Sequence, residues 1–196
     1  MDFVEIILRA KNILITPGEE WKLIKEEQKT RSGLIREYAL PFILLLSLAT
    51  LLGMVLFRNY VTAGIMVVNA LITFFGAFIS IYISTYIINS MAKNFESKKD
   101  FNSSFQLVVY SYTALFVAHT IGSLILPLFF VTIFGIYSAY LLWTGLGIIM
   151  ETPADKKVVY GLVSSITVLG VYVVMNILLS AIYTKLLVSY GMNSLT

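Results

Sequence analysis

The chain has 196 residues, 58% of them apolar and 13% charged, with a mean hydropathy of +0.86, a balance that places it among integral membrane proteins and excludes a soluble domain. It has no cysteine and one histidine, which excludes disulfides, thiolate metal sites, a cysteine nucleophile and any multi-histidine centre within one subunit; no cofactor is expected. A net charge of +3, with the lysines at the edges of apolar runs, offers no basic stripe for nucleic acid.

From Asp2 to Ile15 the apolar residues Phe3, Ile7, Ala10 and Leu14 recur three and four apart, while Asp2, Glu5, Arg9 and Asn12 recur on another face. This predicts an amphipathic helix, too short and too charged to cross a membrane, lying on the membrane surface or against the cytoplasmic ends of the spans. A core helix of a small soluble cap is the alternative. Thr16-Pro17-Gly18-Glu19 reads as the start of a second helix, with Thr16 at the N-cap, Pro17 at the first helical position and Glu19 completing a capping box. Trp21 and Ile24 share its apolar side, and the part-polar indole of Trp21 suits the headgroup zone. Between Asp2 and Glu37 acids and bases balance at seven each, which speaks against a polybasic lipid anchor. No short apolar core with a cleavage site precedes the first span, so no signal peptide is expected.

Residues 38–184 carry the spans. Tyr38 to Phe57 is uncharged, with Pro41 in its opening turn, where a missing donor costs little. After the turn Arg58-Asn59-Tyr60, the uncharged run to Ala92 would reach about 50 Å as a helix, so one end projects or the helix tilts. A charged loop from Lys93 to Asp100 follows. Phe101 to Met150 then holds no formal charge and is too long for one crossing, since about twenty residues suffice. It predicts two spans that bend at Leu126-Pro127. After ETPADKK a fifth span runs from about Val158 to Tyr183, and residues 185–196 are expected as a short tail. The N-terminal segment and the loops at Lys93–Asp100 and Glu151–Lys157 hold twelve of the fourteen bases, leaving Arg58 and Lys185 opposite. The positive-inside rule then places the N-terminus in the cytoplasm and the C-terminus outside. The fold class is thus all-α, with five spans and an amphipathic N-terminal helical pair (1–37). Thr152 and Asp155 are expected to cap the fifth helix as Thr16 caps the second.

The P-x-x-x-W of Pro17 to Trp21, the YSY of Tyr110 to Tyr112, and FGIYSAYLLWTGLGIIMETPADKK from Phe134 to Lys157, set in this five-span layout, resemble the Yip1 domain family. The resemblance implies a small five-span protein with a cytoplasmic N-terminus. In eukaryotes such proteins are associated with Rab GTPases and with traffic between the endoplasmic reticulum and the Golgi. This sequence lacks the long leader and the D-L-x-G-P signature of eukaryotic members. That departure points away from GTPase binding and toward a bacterial inner-membrane protein.

No ionisable acid or base lies in the middle of a predicted span, so ion-coupled transporters, charge-gated channels and intramembrane aspartyl proteases lose weight. Asn69 and Asn176 are costly toward lipid and should point inward as packing groups, and His119 should hydrogen-bond between helices or face the outer headgroup zone near Pro127; the alternative for all three is the lining of a lipid- or solute-handling conduit. His119 and Ser123 share a helix face, yet no oxyanion donors and no strained nucleophile turn accompany them, and the protein is read as no enzyme. Gly135 with Ala139, Ser80 with Ser84, and Gly161 with Ser165 allow close helix approach or a homodimer. Tyr137, Tyr140 and Trp143 crowd the fourth span as packing or an interface belt. Thr16, Pro17, Trp21, Thr152, Asp155, Lys156 and Lys157 form the candidate face for a cytoplasmic protein partner or lipid. The sequence therefore predicts a non-catalytic protein that organises membrane or recruits partners, with membrane lipids as its surroundings.

Overall fold

The structure is a computed structural model describing residues 3–27, 29–58 and 61–193. Asp2, the side chain of Phe3, the Asn59-Tyr60 turn and the last three residues of the expected tail lie outside the described residues. Among the described residues every element is helical. Two N-terminal helices, α1 (Phe3–Ile15) and α2 (Pro17–Glu27), precede five helices long and apolar enough to cross a membrane. These are α3 (Arg31–Phe57), α4 (Ala63–Phe95), α5 (Phe101–Leu124), α6 (Leu126–Ile149) and α7 (Ala154–Asn193). The fifth helix runs past Lys185, where a tail was expected, because Lys185 and its neighbours continue an uninterrupted helical sequence free of Gly and Pro until Gly191.

α5 is the central span. In its apolar stretch 67% is buried, against 11% in α7, and it packs on α3, α4 and α6. Three local departures from regular helix shape the bundle. Pro41 does not open the first span; the helix already starts at Arg31 and passes through a π turn at Ile35–Ala39, where Leu40 N–H reaches Ile35 O. That wider turn precedes the proline, whose ring and missing donor would disrupt a regular ladder. α5 kinks at Tyr112, and Leu115 N–H donates to Ser138 Oγ on α6 at 3.1 Å instead of to its own helix. At the bend before Pro127, Ile125 leaves helical geometry (φ −118°, ψ 86°), and the chain returns through 3₁₀ geometry from Leu126 to Ile136. The break falls one residue earlier than the proline rule alone indicates.

The amphipathic reading of α1 needs rotation. Its buried face is Ile6, Ala10 and Ile13, which join the main core, while Ile7 is 51% exposed. Val4, Ile7, Leu8 and Ile15 form a second apolar stripe turned outward. α1 thus packs against the spans and still offers apolar surface to a bilayer.

Candidate functional site

Both charged loops and the N-terminal helix pair meet at one end of the bundle. Arg9 of α1 pairs with Glu20 and Glu27 of α2. Lys25 of α2 pairs with Glu151 of the exit loop at 2.8 Å, and Lys156 sits 3.9 Å from Glu96 in the other loop. The Lys25 hydrogen bond and charge hold the Glu151 carboxyl below the usual range. The two loops are also joined directly: Ser97 Oγ donates to Thr152 Oγ1 at 2.9 Å, and Lys98 N–H to Met150 O at 2.8 Å. Glu96 and Glu151, one in each loop, both take left-handed backbone (φ 53° and 52°), a conformation that non-glycine residues adopt at a cost.

Trp21 is not at a headgroup surface. It is fully buried, its N–H donates to Leu141 O and Thr144 Oγ1 of α6 at 3.1 Å each, and its ring meets Tyr110 edge to face. Gly145 makes room for it: a Cβ there would lie 2.7 Å from the indole. Indole is apolar over most of its surface, so once α6 offers its one donor a partner, burial wins over the interface. Around it sit Tyr38 and Tyr110, with ring centroids 4.5 Å apart, and Tyr38 shares a hydrogen bond with Thr113 beside the Tyr112 kink. Trp21 therefore cannot belong to an exposed partner face.

Neither T-P motif caps the helix that follows in the way expected. Thr16 Oγ1 donates backward to Asn12 O of α1 at 3.2 Å, and Thr152 Oγ1 donates backward to Leu146 O of α6 at 3.2 Å. Each threonine hydroxyl adds a further bond to a carbonyl of the preceding helix that already accepts a backbone N–H, from Thr16 at Asn12 O and from Met150 at Leu146 O. Pro17 does begin α2 and is buried. Asp155, 72% exposed at its side chain, lies 3.9 Å from Lys156, while the Lys157 side chain lies against Gly147. The structure thus brings the two halves of the candidate face together through Lys25 and Glu151, with Trp21 and Thr152 as interior fasteners beneath it.

Asp100 is a cap that sequence reasoning missed, although an aspartate three residues before Ser103 at a helix start is legible. Its carboxylate accepts from the N–H and hydroxyl of Ser103, both at 2.7 Å. Burial pushes its pKa up, but these hydrogen bonds prevail and it lies below the usual range. Asp100→Ala is expected to cost about 0.5–2 kcal/mol near neutral pH. Because the folded pKa lies below the unfolded value of about 3.9, this contribution is full above that value and fades as pH falls through the folded one. Melting of both proteins at neutral pH and below about pH 3 checks it; an equal gap at both would contradict it.

At the other end the bundle is hollow. Asn69, His119 and Asn176, from three different spans, line one cavity of about 560 Å³ together with Thr50, Tyr172 and Tyr183. The Tyr172 hydroxyl pairs with His119 Nδ1, Asn176 Nδ2 donates to Tyr172 O at 2.8 Å, and Asn69 Nδ2 reaches Met54 Sδ at 3.2 Å. The Tyr183 hydroxyl is buried without a hydrogen-bond partner among the described residues. Ser123 lines the same cavity, but the ring nitrogen of His119 facing Tyr172 is already engaged. Tyr172 was not singled out by sequence; its position four residues before Asn176 on the same helix was the available signal. The small-residue pairs serve packing within the chain: Gly135 faces Leu115, Gly161 faces Trp143, and Ser84 bonds Tyr112. Tyr137 stacks near Tyr140 and donates to Leu14 O at 2.9 Å, tying α6 to α1. Among the described residues no cluster of His, Asp or Glu could hold a metal ion.

A family model described as the Yip1 domain matches residues 11–177. Neither the curated proteins nor the solved structures gave a match to the chain.

Proposed function

The chain belongs to the Yip1 domain family and is a multi-pass membrane protein, and from that premise we propose that its charged end is a cytoplasmic platform which recruits a protein partner without catalysis. One observation carries this reading: segments far apart in sequence, α2, the Glu96 loop and the Glu151 loop, are fastened into a single surface by Lys25–Glu151, Lys156–Glu96 and Ser97–Thr152. A surface assembled from three segments and anchored on buried Trp21 presents its groups in fixed positions, which lowers the ordering cost of binding. Lys22, Glu26, Lys98, Lys99 and Asp155 remain exposed on it. The placement of twelve bases at this end supports its facing the cytoplasm.

Converting Lys22, Lys99 and Asp155 together to alanine should deplete co-purified protein at least about tenfold, the effect of roughly 1.4 kcal/mol, while membrane insertion and melting stay unchanged. Undiminished recovery would overturn the proposal.

The cavity favours a second reading in which the distal half handles a lipid or small solute. Tyr112 and Phe116 line its inner end, and the packed core of Tyr38, Tyr110 and Phe105 lies between them and the charged loops. This supports a chamber with one entrance over a through-passage.

A further inference from the structure

We propose that the distal cavity is a binding site for a phospholipid with an anionic headgroup, held at Arg58 with its acyl chain in the chamber. The inference concerns the opposite end of the molecule from the platform, so it stands or falls separately.

The charges make the first argument. All eleven acids of the sequence lie between Asp2 and Glu37, in the Glu96–Asp100 loop, or at Glu151 and Asp155, and the ten described ones are all at the platform end. Arg58 and Lys185 are the two bases at the far end, and no carboxylate side chain exists there to neutralise either. Bases on that side also run against the charge bias that orients membrane proteins. Arg58 is nevertheless placed at the mouth of the cavity. Arg58 lines the cavity, and Lys185 lines a groove along α7 that shares Tyr172, Asn176 and Ser180 with it. Neither has an ion-pair partner among the described residues, and a phosphate is the group that guanidinium and ammonium recognise well.

The chamber supplies the rest. From Leu46 to Arg58 on α3 it is about 18 Å deep, and its volume of about 560 Å³ falls within the range of about 300–1,000 Å³ typical of small-molecule sites. Leu46, Phe116, Met175 and Leu179 give it apolar wall, while Asn69, Asn176 and the His119–Tyr172 pair set a polar line within it. An apolar tail with ester oxygens near its head matches both. The Tyr183 hydroxyl, buried and unpartnered among the described residues, would otherwise bear the desolvation cost of an unmade hydrogen bond. An ester or phosphate oxygen at the mouth can accept from it. A free phosphate shares the headgroup chemistry but leaves the apolar wall empty.

The test uses the full chain purified in detergent, with retained phospholipid counted by native mass spectrometry. About one anionic phospholipid per chain is expected to survive exchange, and delipidated protein is expected to gain thermal stability from phosphatidylglycerol vesicles but not from phosphatidylcholine vesicles. Arg58→Gln should weaken retention about tenfold, as loss of one charge-assisted contact implies, and Lys185→Gln, in the neighbouring groove, should weaken it less. Arg58→Lys should largely preserve it. Thr50→Phe, which fills the chamber while removing only a bond to its own helix at Leu46 O, should abolish retention in a protein that still melts cooperatively. Equal retention in all four variants would mean annular lipid only and overturn the proposal. Stabilisation by inorganic phosphate equal to that by phosphatidylglycerol would replace the lipid by a soluble anion and overturn it as well.

Discussion

Trp21→Ala is expected to destabilise the protein by about 3–5 kcal/mol, the range for removing a large buried aromatic, and to free the N-terminal helices from the bundle. The side chain is fully buried and is the main apolar link between α2 and α6. Its removal leaves a cavity against Gly145 and Leu107, strips a donor from Leu141 O and Thr144, and loses the edge contact with Tyr110. Trp21→Phe keeps most of the volume and loses the hydrogen bonds, at a net cost of about 0.5–1.5 kcal/mol. Thermal unfolding in nanodiscs gives the order wild type, Phe, Ala. Limited proteolysis near residues 28–30 should cut the alanine variant much faster at a temperature where the spans remain folded. If alanine melted like wild type, Trp21 would not be the fastener of the platform.

Gly53→Ala is the second large effect. A Cβ on Gly53 would lie 1.9 Å from the carbonyl oxygen of Ser123 on α5, and the obstacle is backbone, which no rotamer change can move. α3 and α5 must separate at the level of the bend before Pro127, at a cost near the upper end of the roughly 1–3 kcal/mol typical of overpacking. The same separation reshapes the cavity wall between Thr50 and Ser123. Gly64→Ala, where nothing lies within 4 Å, is the control and should be neutral or slightly stabilising in its helix. Equal melting temperatures for the two variants would contradict the close α3–α5 crossing.

The number of spans and the position of the long hairpin were legible because twenty-residue apolar runs and one proline leave few alternatives. The rotation of α1 was not. Ile6 and Ile13 are no more apolar than Val4, Ile7 and Leu8, and in a membrane both the protein-facing and lipid-facing stripes are apolar, so periodicity finds the helix without choosing its buried side. Trp21 misled for a related reason: an indole suits a headgroup or a core equally well, and the choice rests on whether a distant helix supplies an acceptor, here Leu141 and Thr144. The threonines of the two T-P motifs carry the right side chain for an N-cap, but a hydroxyl can either serve an orphan N–H ahead or bond back to a carbonyl of the preceding helix, as both do here. Asn69 and Asn176 were read as inward-facing, and His119 as bonding between helices or facing the headgroup zone; all three line the cavity. That they meet in one cavity was not legible, because they lie on three spans far apart in sequence and periodicity within one segment does not report contacts between segments.

The most direct measurement of the platform is site-specific photo-crosslinking in native membranes, with the reactive side chain placed in turn at Lys22, Lys99 and, as the lipid-facing reference, Ile166, which is 70% exposed on the outer side of α7. A common protein adduct from Lys22 and Lys99, absent from Ile166, is the predicted result. Lipid adducts alone from all three positions would contradict the proposal that the fastened charged end receives a protein.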